Sequence, residues 1–159
     1  IDRMRQELTT LLCALAMTTA CSSDEAGPGD AFLGTWTTTT GTQSVIDCQF
    51  ASKKENLSIT YTVAKTDGAD LQLTSSADAN CTLKAKVVGQ RATVLENQTC
   101  VRKEDRYEDT YKFATTSVLD MPQAGTGTIK LEATFKRSLD GLDTGFECGF
   151  TEEAPIKKQ

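Results

Sequence analysis

Residues 81–100 read CTLKAKVVGQRATVLENQTC, and the alternation inside this segment decides the fold class. Leu83, Ala85 and Val87 lie two apart in step with Cys81, while Lys84 and Lys86 fall between them. That is the period at which one face of a strand is apolar and the other is wet. Gly89-Gln90 then offers a two-residue turn, and a second strand-like run begins at Arg91. Folded as a hairpin, the segment brings its end cysteines almost opposite each other. A strict two-residue turn sets Cys81 against Gln98, so a bridge between Cys81 and Cys100 needs a bulge or a longer loop.

The same period of two recurs through the chain. Leu57, Ile59, Tyr61 and Val63 share one side of a run; Ile129, Leu131, Ala133, Phe135 and Arg137 share another, opposite Lys130, Glu132 and Lys136; Phe146, Cys148 and Phe150 share a third. The candidate strands are Leu33 to Thr40, Ser44 to Ala51, Asn56 to Lys65, Asp70 to Ser75, Cys81 to Val88, Arg91 to Gln98, Tyr107 to Leu119, Thr126 to Arg137 and Gly145 to Thr151. Turn chemistry separates them at Lys53-Lys54-Glu55, Thr66-Asp67-Gly68, Gly89-Gln90, Asp120 to Gly125 and Asp140-Gly141. After Pro28 no segment shows helical periodicity with caps. The expectation is an all-β domain: a small antiparallel meander β-barrel of about eight to nine strands or, failing closure, a β-sandwich.

Composition narrows the function. The 159 residues hold 25% charged and 38% hydrophobic side chains with a net charge of −5, which suits one globular domain and disfavours nucleic acid as a partner. There is no histidine, so Ser-His hydrolases are excluded and the commonest zinc ligand is missing. Glu152 and Glu153 are adjacent, and neighbours on a strand point to opposite faces, so they do not form an acid–base pair. Asp140-Gly141-Leu142-Asp143 lacks the spacing of a calcium loop and reads as a turn, and the mixed-sign run Arg102 to Asp109 reads as a solvated loop or strand approach. No enzyme, metal or cofactor is expected.

The N-terminus carries a different signal. Arg3 and Arg5 precede a short apolar stretch, Leu11 to Met17, followed by small residues, the pattern of an export leader too short to span a bilayer. Thr19-Ala20-Cys21 resembles the end of the lipobox of bacterial lipoproteins. The resemblance implies cleavage before Cys21, lipidation of its sulfur, and a stable acyl anchor in the cell envelope. Ser22 after the cysteine implies the outer membrane by the same resemblance. Plain secretion, with cleavage after Ala16 or Ala20, leaves Cys21 a thiol. The domain plan is then a signal peptide at 1–20, a flexible tether at 21–31, the barrel at 32–151 and a flexible tail at 152–159. Once Cys13 leaves with the leader and Cys21 carries lipid, Cys48, Cys81, Cys100 and Cys148 remain. Three pairings are formally open, and Cys81–Cys100 with Cys48–Cys148 is the expected one. Metal binding is the alternative, disfavoured by wide spacings and the lack of a C-x-x-C pair.

Phe32-Leu33-Gly34-Thr35-Trp36 places G-x-W on the first strand and resembles the lipocalin and wider calycin pattern. The resemblance implies that Gly34 permits a close bend, that Trp36 plugs one barrel end, and that a late basic residue, Arg137 here, packs over the Trp. The G-x-W strand with a cysteine some ten residues later also looks like bacterial inhibitors of metalloproteases, and lipoproteins that inhibit lysozyme share the disulfide-tied small-barrel format. The functional expectation is a lipid-anchored envelope binding protein, its partners a membrane and a small apolar ligand held by Trp36, Tyr61, Tyr111, Phe113, Phe135 and Arg137. The alternatives are an inhibitor of an exported protease or lysozyme, and a structural surface lipoprotein. Oligomeric state is left open.

Overall fold

The structure is a computed structural model that describes residues 26–39, 43–48, 51–55 and 58–159. The leader, Cys21, and Leu57 lie outside the described residues. Alternation from Ile129 to Phe135 extends in both directions to give β11 (Thr126–Leu139), and the chain returns as β12 (Leu142–Lys158). Asp140 (φ 50°) and Gly141 (φ 81°) supply the two left-handed residues that a tight hairpin turn requires. The two strands pair antiparallel from Thr126 opposite Lys157 to Leu139 opposite Leu142.

Among the described residues ten strands precede this hairpin: β1 (Gly34–Thr38), β2 (Gln43–Cys48), β3 (Ala51–Glu55), β4 (Thr60–Thr66), β5 (Ala69–Ser75), β6 (Asp78–Val88), β7 (Arg91–Val94), β8 (Thr99–Glu104), β9 (Tyr107–Phe113) and β10 (Val118–Gln123). The protein is all-β, and eight strands close an antiparallel barrel in the order β12-β1-β4-β5-β6-β7-β10-β11, sealed by β11 against β12. The hairpins β2–β3 and β8–β9 are added at the outer flanks of the two long strands. β12 pairs with β2 from Cys148 to Glu153 and with β1 from Ile156 to Lys158. In parallel fashion β11 pairs with β10 as far as Lys130 and with β9 from Ala133 onward.

Each change of partner leaves backbone groups that need bonds, and local chemistry supplies them. On β11, buried Ser117 fills the gap: its Oγ donates to the Glu132 carbonyl at 3.1 Å and accepts from the Glu132 N–H at 2.9 Å. On β12 the change falls at Pro155, whose carbonyl accepts from Thr39 N–H at 2.9 Å. A proline has no N–H to strand, so it suits a position where one ladder has ended and the next begins.

The barrel end flanked by β1, β7 and β10 is packed solid. Trp36, Phe32, Leu71, Leu119 and Ile129 are fully buried there. A 3-10 turn, Asp30–Phe32, folds across this end, and the Trp36 indole N–H donates to the Phe32 carbonyl at 2.7 Å. Gly29 (φ 88°) permits the approach, since a Cβ there would sit 2.9 Å from Leu71. Asp30 pairs with Lys65 at 2.6 Å, which holds the Asp30 carboxyl below its ordinary pKa.

Several sequence expectations are corrected. Lys53-Lys54-Glu55, expected as a turn, is part of β3, which the ladder with β2 holds extended. Residues 28–31, expected in a flexible tether, dock on the barrel because Phe32 has an apolar end to cover. Residues 152–158, expected in a flexible tail, belong to β12, where Glu152, Ala154 and Ile156 continue the buried face of Cys148. The run Tyr107 to Leu119 is two strands, broken where Ser117 N–H donates to the Ala114 carbonyl. The mixed-sign run from Arg102 forms part of the β8–β9 hairpin, with Arg102 opposite Asp109. Arg137 does not reach Trp36. It makes a two-pronged ion pair with Asp109, both bonds 2.7 Å, between the rings of Tyr107 and Phe146. The base over Trp36 is Lys158, its Nζ 5.9 Å from the ring centroid.

Both expected disulfides are present, Cys48–Cys148 and Cys81–Cys100. The first joins residues directly opposite on β2 and β12. The second spans β6 and β8, because the chain leaves the barrel ladder after Val94 and returns as β8. The bridges close loops with sequence separations of 100 and 19. Replacing both cysteines of the longer loop by alanine is expected to cost about 4–5 kcal/mol and of the shorter about 3 kcal/mol, in the chain-entropy picture, as read by urea unfolding.

Candidate functional site

The other half of the barrel is open. There β2, β3, β8 and β9 stand around the lower parts of β4, β5, β6, β11 and β12, and they enclose a cavity of about 180 Å³. Its wall is mainly apolar: Ile46, Ile59, Leu73, Leu83, Leu131 and Phe150 contribute, and the Cys81–Cys100 bridge forms part of it. An apolar cavity of about 150 Å³ is known to accept a benzene-sized molecule, so the space suits a small organic ligand.

Aromatic packing fixes one side. Tyr111 on β9 lies 4.9 Å from the Phe135 ring and 5.9 Å, edge-on, from Phe150, centroid to centroid. These contacts span β9, β11 and β12 and leave the ring little freedom to swing out of the wall. Burial, reinforced by nearby Asp109, raises the Tyr111 pKa, so its hydroxyl stays protonated at neutral pH.

Polar groups punctuate this lining, and two are unusual. Tyr61 is 2% exposed and Glu152 is 5% exposed, both line the cavity, and neither the Tyr61 hydroxyl nor Glu152 Oε1 has a hydrogen-bond partner among the described residues. A buried polar atom left unpaired costs roughly 1–3 kcal/mol, and a carboxylate costs more. Burial alone pushes the Glu152 carboxyl up to about 7. Glu152 sits on β12 between Ser44 of β2 and Leu131 of β11, so its backbone is locked while its side chain faces the interior. Asp78, Glu55 and Arg102 complete the ionisable groups around the cavity.

Of the six residues expected to line a ligand site, Tyr61, Tyr111 and Phe113 line this cavity. Trp36 does not, because it is 0% exposed in the packed half. Phe135 packs against the Tyr111 ring from directly across the β9–β11 ladder without reaching the cavity, and Arg137 is held by Asp109. The residue that sequence reading passed over is Glu152. Extending the period of two from Phe146, Cys148 and Phe150 by one step places it inside.

No protein-family model and no curated protein sequence matches the chain. A solved structure of a protein of unknown function from the DUF3598 family, from Nostoc punctiforme PCC 73102, is similar over 82% of this chain at 15% identity with a TM-score of 0.38. The chain spans about half of that protein, 48% of its length.

The carboxyl of Glu152 yields a signed pH prediction. Its folded pKa of about 7 lies above the ordinary 4.5, so the native state holds the proton more tightly than the unfolded chain. Stability from this group is therefore full below about pH 4.5 and is lost as pH rises through about 7, by about 3 kcal/mol in all. Denaturant unfolding at pH 5 and pH 8 should show that fall in the wild type, and Glu152→Gln should flatten it.

Proposed function

We propose that this chain is a lipid-anchored envelope protein whose barrel binds a small, largely apolar ligand in its open half. The observation that carries the reading is the cavity: an apolar chamber walled by Tyr111, Phe113 and Phe150 that keeps two unpaired polar atoms inside it. A barrel selected for stability alone fills such space with side chains, as the opposite end does. Among the described residues the segment before β1 folds back onto the barrel, which favours the cavity over an inhibitor that presents an extended arm.

The anchor rests on the Thr19-Ala20-Cys21 motif and on parity. With Cys48, Cys81, Cys100 and Cys148 paired, Cys21 is left over beyond the leader. Mass spectrometry of protein extracted from membranes should find a diacylglycerol on Cys21, and an unmodified cysteine there would remove the anchor from the proposal.

Ligand binding is testable with a neutral probe of the right size. Titration of the full chain with benzyl alcohol, followed by NMR, should give saturable shifts with a dissociation constant of about 1 mM or tighter, the scale set by the affinity available to a few heavy atoms. Ser75→Phe, which adds a ring to a lining position, should weaken binding at least tenfold. Unchanged affinity in that variant would move the site elsewhere.

A further inference from the structure

The shape of the cavity admits many small molecules, but its polar atoms select among them. Glu152 is an acceptor at both oxygens when ionised and keeps an acceptor beside one O–H donor when protonated, and the Tyr61 oxygen has a lone pair to offer as well as a proton. Both atoms are buried and unpaired in the same chamber. A ligand with one hydroxyl can satisfy only one of them as a donor, whereas a protonated amine carries several N–H groups and a charge.

The surrounding electrostatics point the same way. Among the described residues the ionisable groups lining the cavity are Glu152 on β12, Glu55 on β3, Asp78 on β6, Arg102 on β8, Tyr61 on β4 and Tyr111 on β9. Glu152, Asp78 and Glu55, the last of them paired with Lys53, face one guanidinium, and Arg102 is exposed at the rim. Among the described residues no cation bonds Glu152 Oε1. An anionic ligand would enter against this field and leave the carboxylate still more costly to bury.

Resting on the ligand-binding reading above, we infer that the cavity selects a small organic amine, its ammonium group held by Glu152 and Tyr61 and its apolar body against Tyr111, Phe113 and Phe150. The ammonium replaces the water that a buried carboxylate lacks, so binding favours the ionised form of Glu152 and releases the proton it holds near neutrality. Affinity for an amine should then rise with pH between 5.5 and 8, while affinity for a neutral isostere should not.

The experiment compares benzylamine with benzyl alcohol and benzoate on the full chain by NMR titration at pH 5.5 and pH 8. Benzylamine should bind at least tenfold more tightly than benzyl alcohol at pH 8, lose most of that advantage at pH 5.5, and outcompete benzoate at both. Glu152→Gln, checked for folding by thermal unfolding, should abolish the preference for the amine. The wild-type pH comparison stands independently of that variant. Equal binding of amine and alcohol, or a preference that survives Glu152→Gln, overturns the amine assignment while leaving the cavity as a ligand site. Failure of every probe to bind overturns both.

Discussion

The β11–β12 hairpin runs the full height of the barrel, and each of its strands has a second edge that must be hydrogen-bonded along that whole height. No single neighbour is long enough to do so. Each edge is therefore divided between two shorter strands, β10 and β9 on one side and β2 and β1 on the other. Ser117 and Pro155 sit where the divisions fall and settle the backbone groups that the changeover exposes. From this division follows the rest of the molecule: one half in which a small ring of strands presses apolar side chains together, and another in which two extra hairpins hold the wall farther apart.

The two halves embody opposite solutions to burial. At the packed end every polar group has a use, with the Trp36 indole N–H bonded to Phe32 and Lys65 set against Asp30. In the open end a carboxyl group is buried with only its own protonation to relieve it. Replacing Glu152 by an apolar side chain would remove that burden, so under the proposed function its presence is a cost retained for recognition and not a contribution to the fold. The Cys81–Cys100 bridge matters for the same reason. It joins β6 to β8 at the wall of the cavity, where their cysteines meet although the two strands share no ladder of backbone bonds.

Much of the barrel was legible in the sequence because strand alternation is a local property. The inward face Ile129, Leu131, Ala133 and Phe135 was readable residue by residue, and cysteine parity led to both bridges. What escaped depends on contacts distant in the chain. β8 was missed because Val101 to Glu104 has no apolar face of its own; it is strand through its pairing with β9, as Cys100 is held to Cys81. Residues 152–158 look like a charged tail, and only the partners on either side show that Ala154 and Ile156 are core. Lys158 takes the place over Trp36 that was expected of Arg137 for a similar reason. Both carry a cation on an alternating strand, and the choice between them is made by Asp109, which lies 28 residues before Arg137 and directly across the ladder.

The exchange of neighbours along β11 and β12 also bears on how such a barrel can change over time. Substitutions on β2, β3, β8 and β9 touch the open chamber, while those on β1, β7 and β10 touch the sealed end, and the two groups meet through the long hairpin and through β4, β5 and β6. Sites with no shared contacts vary independently in their effects on stability. Substitutions on the two added hairpins can therefore reshape the chamber, residue by residue, without reaching the sealed end.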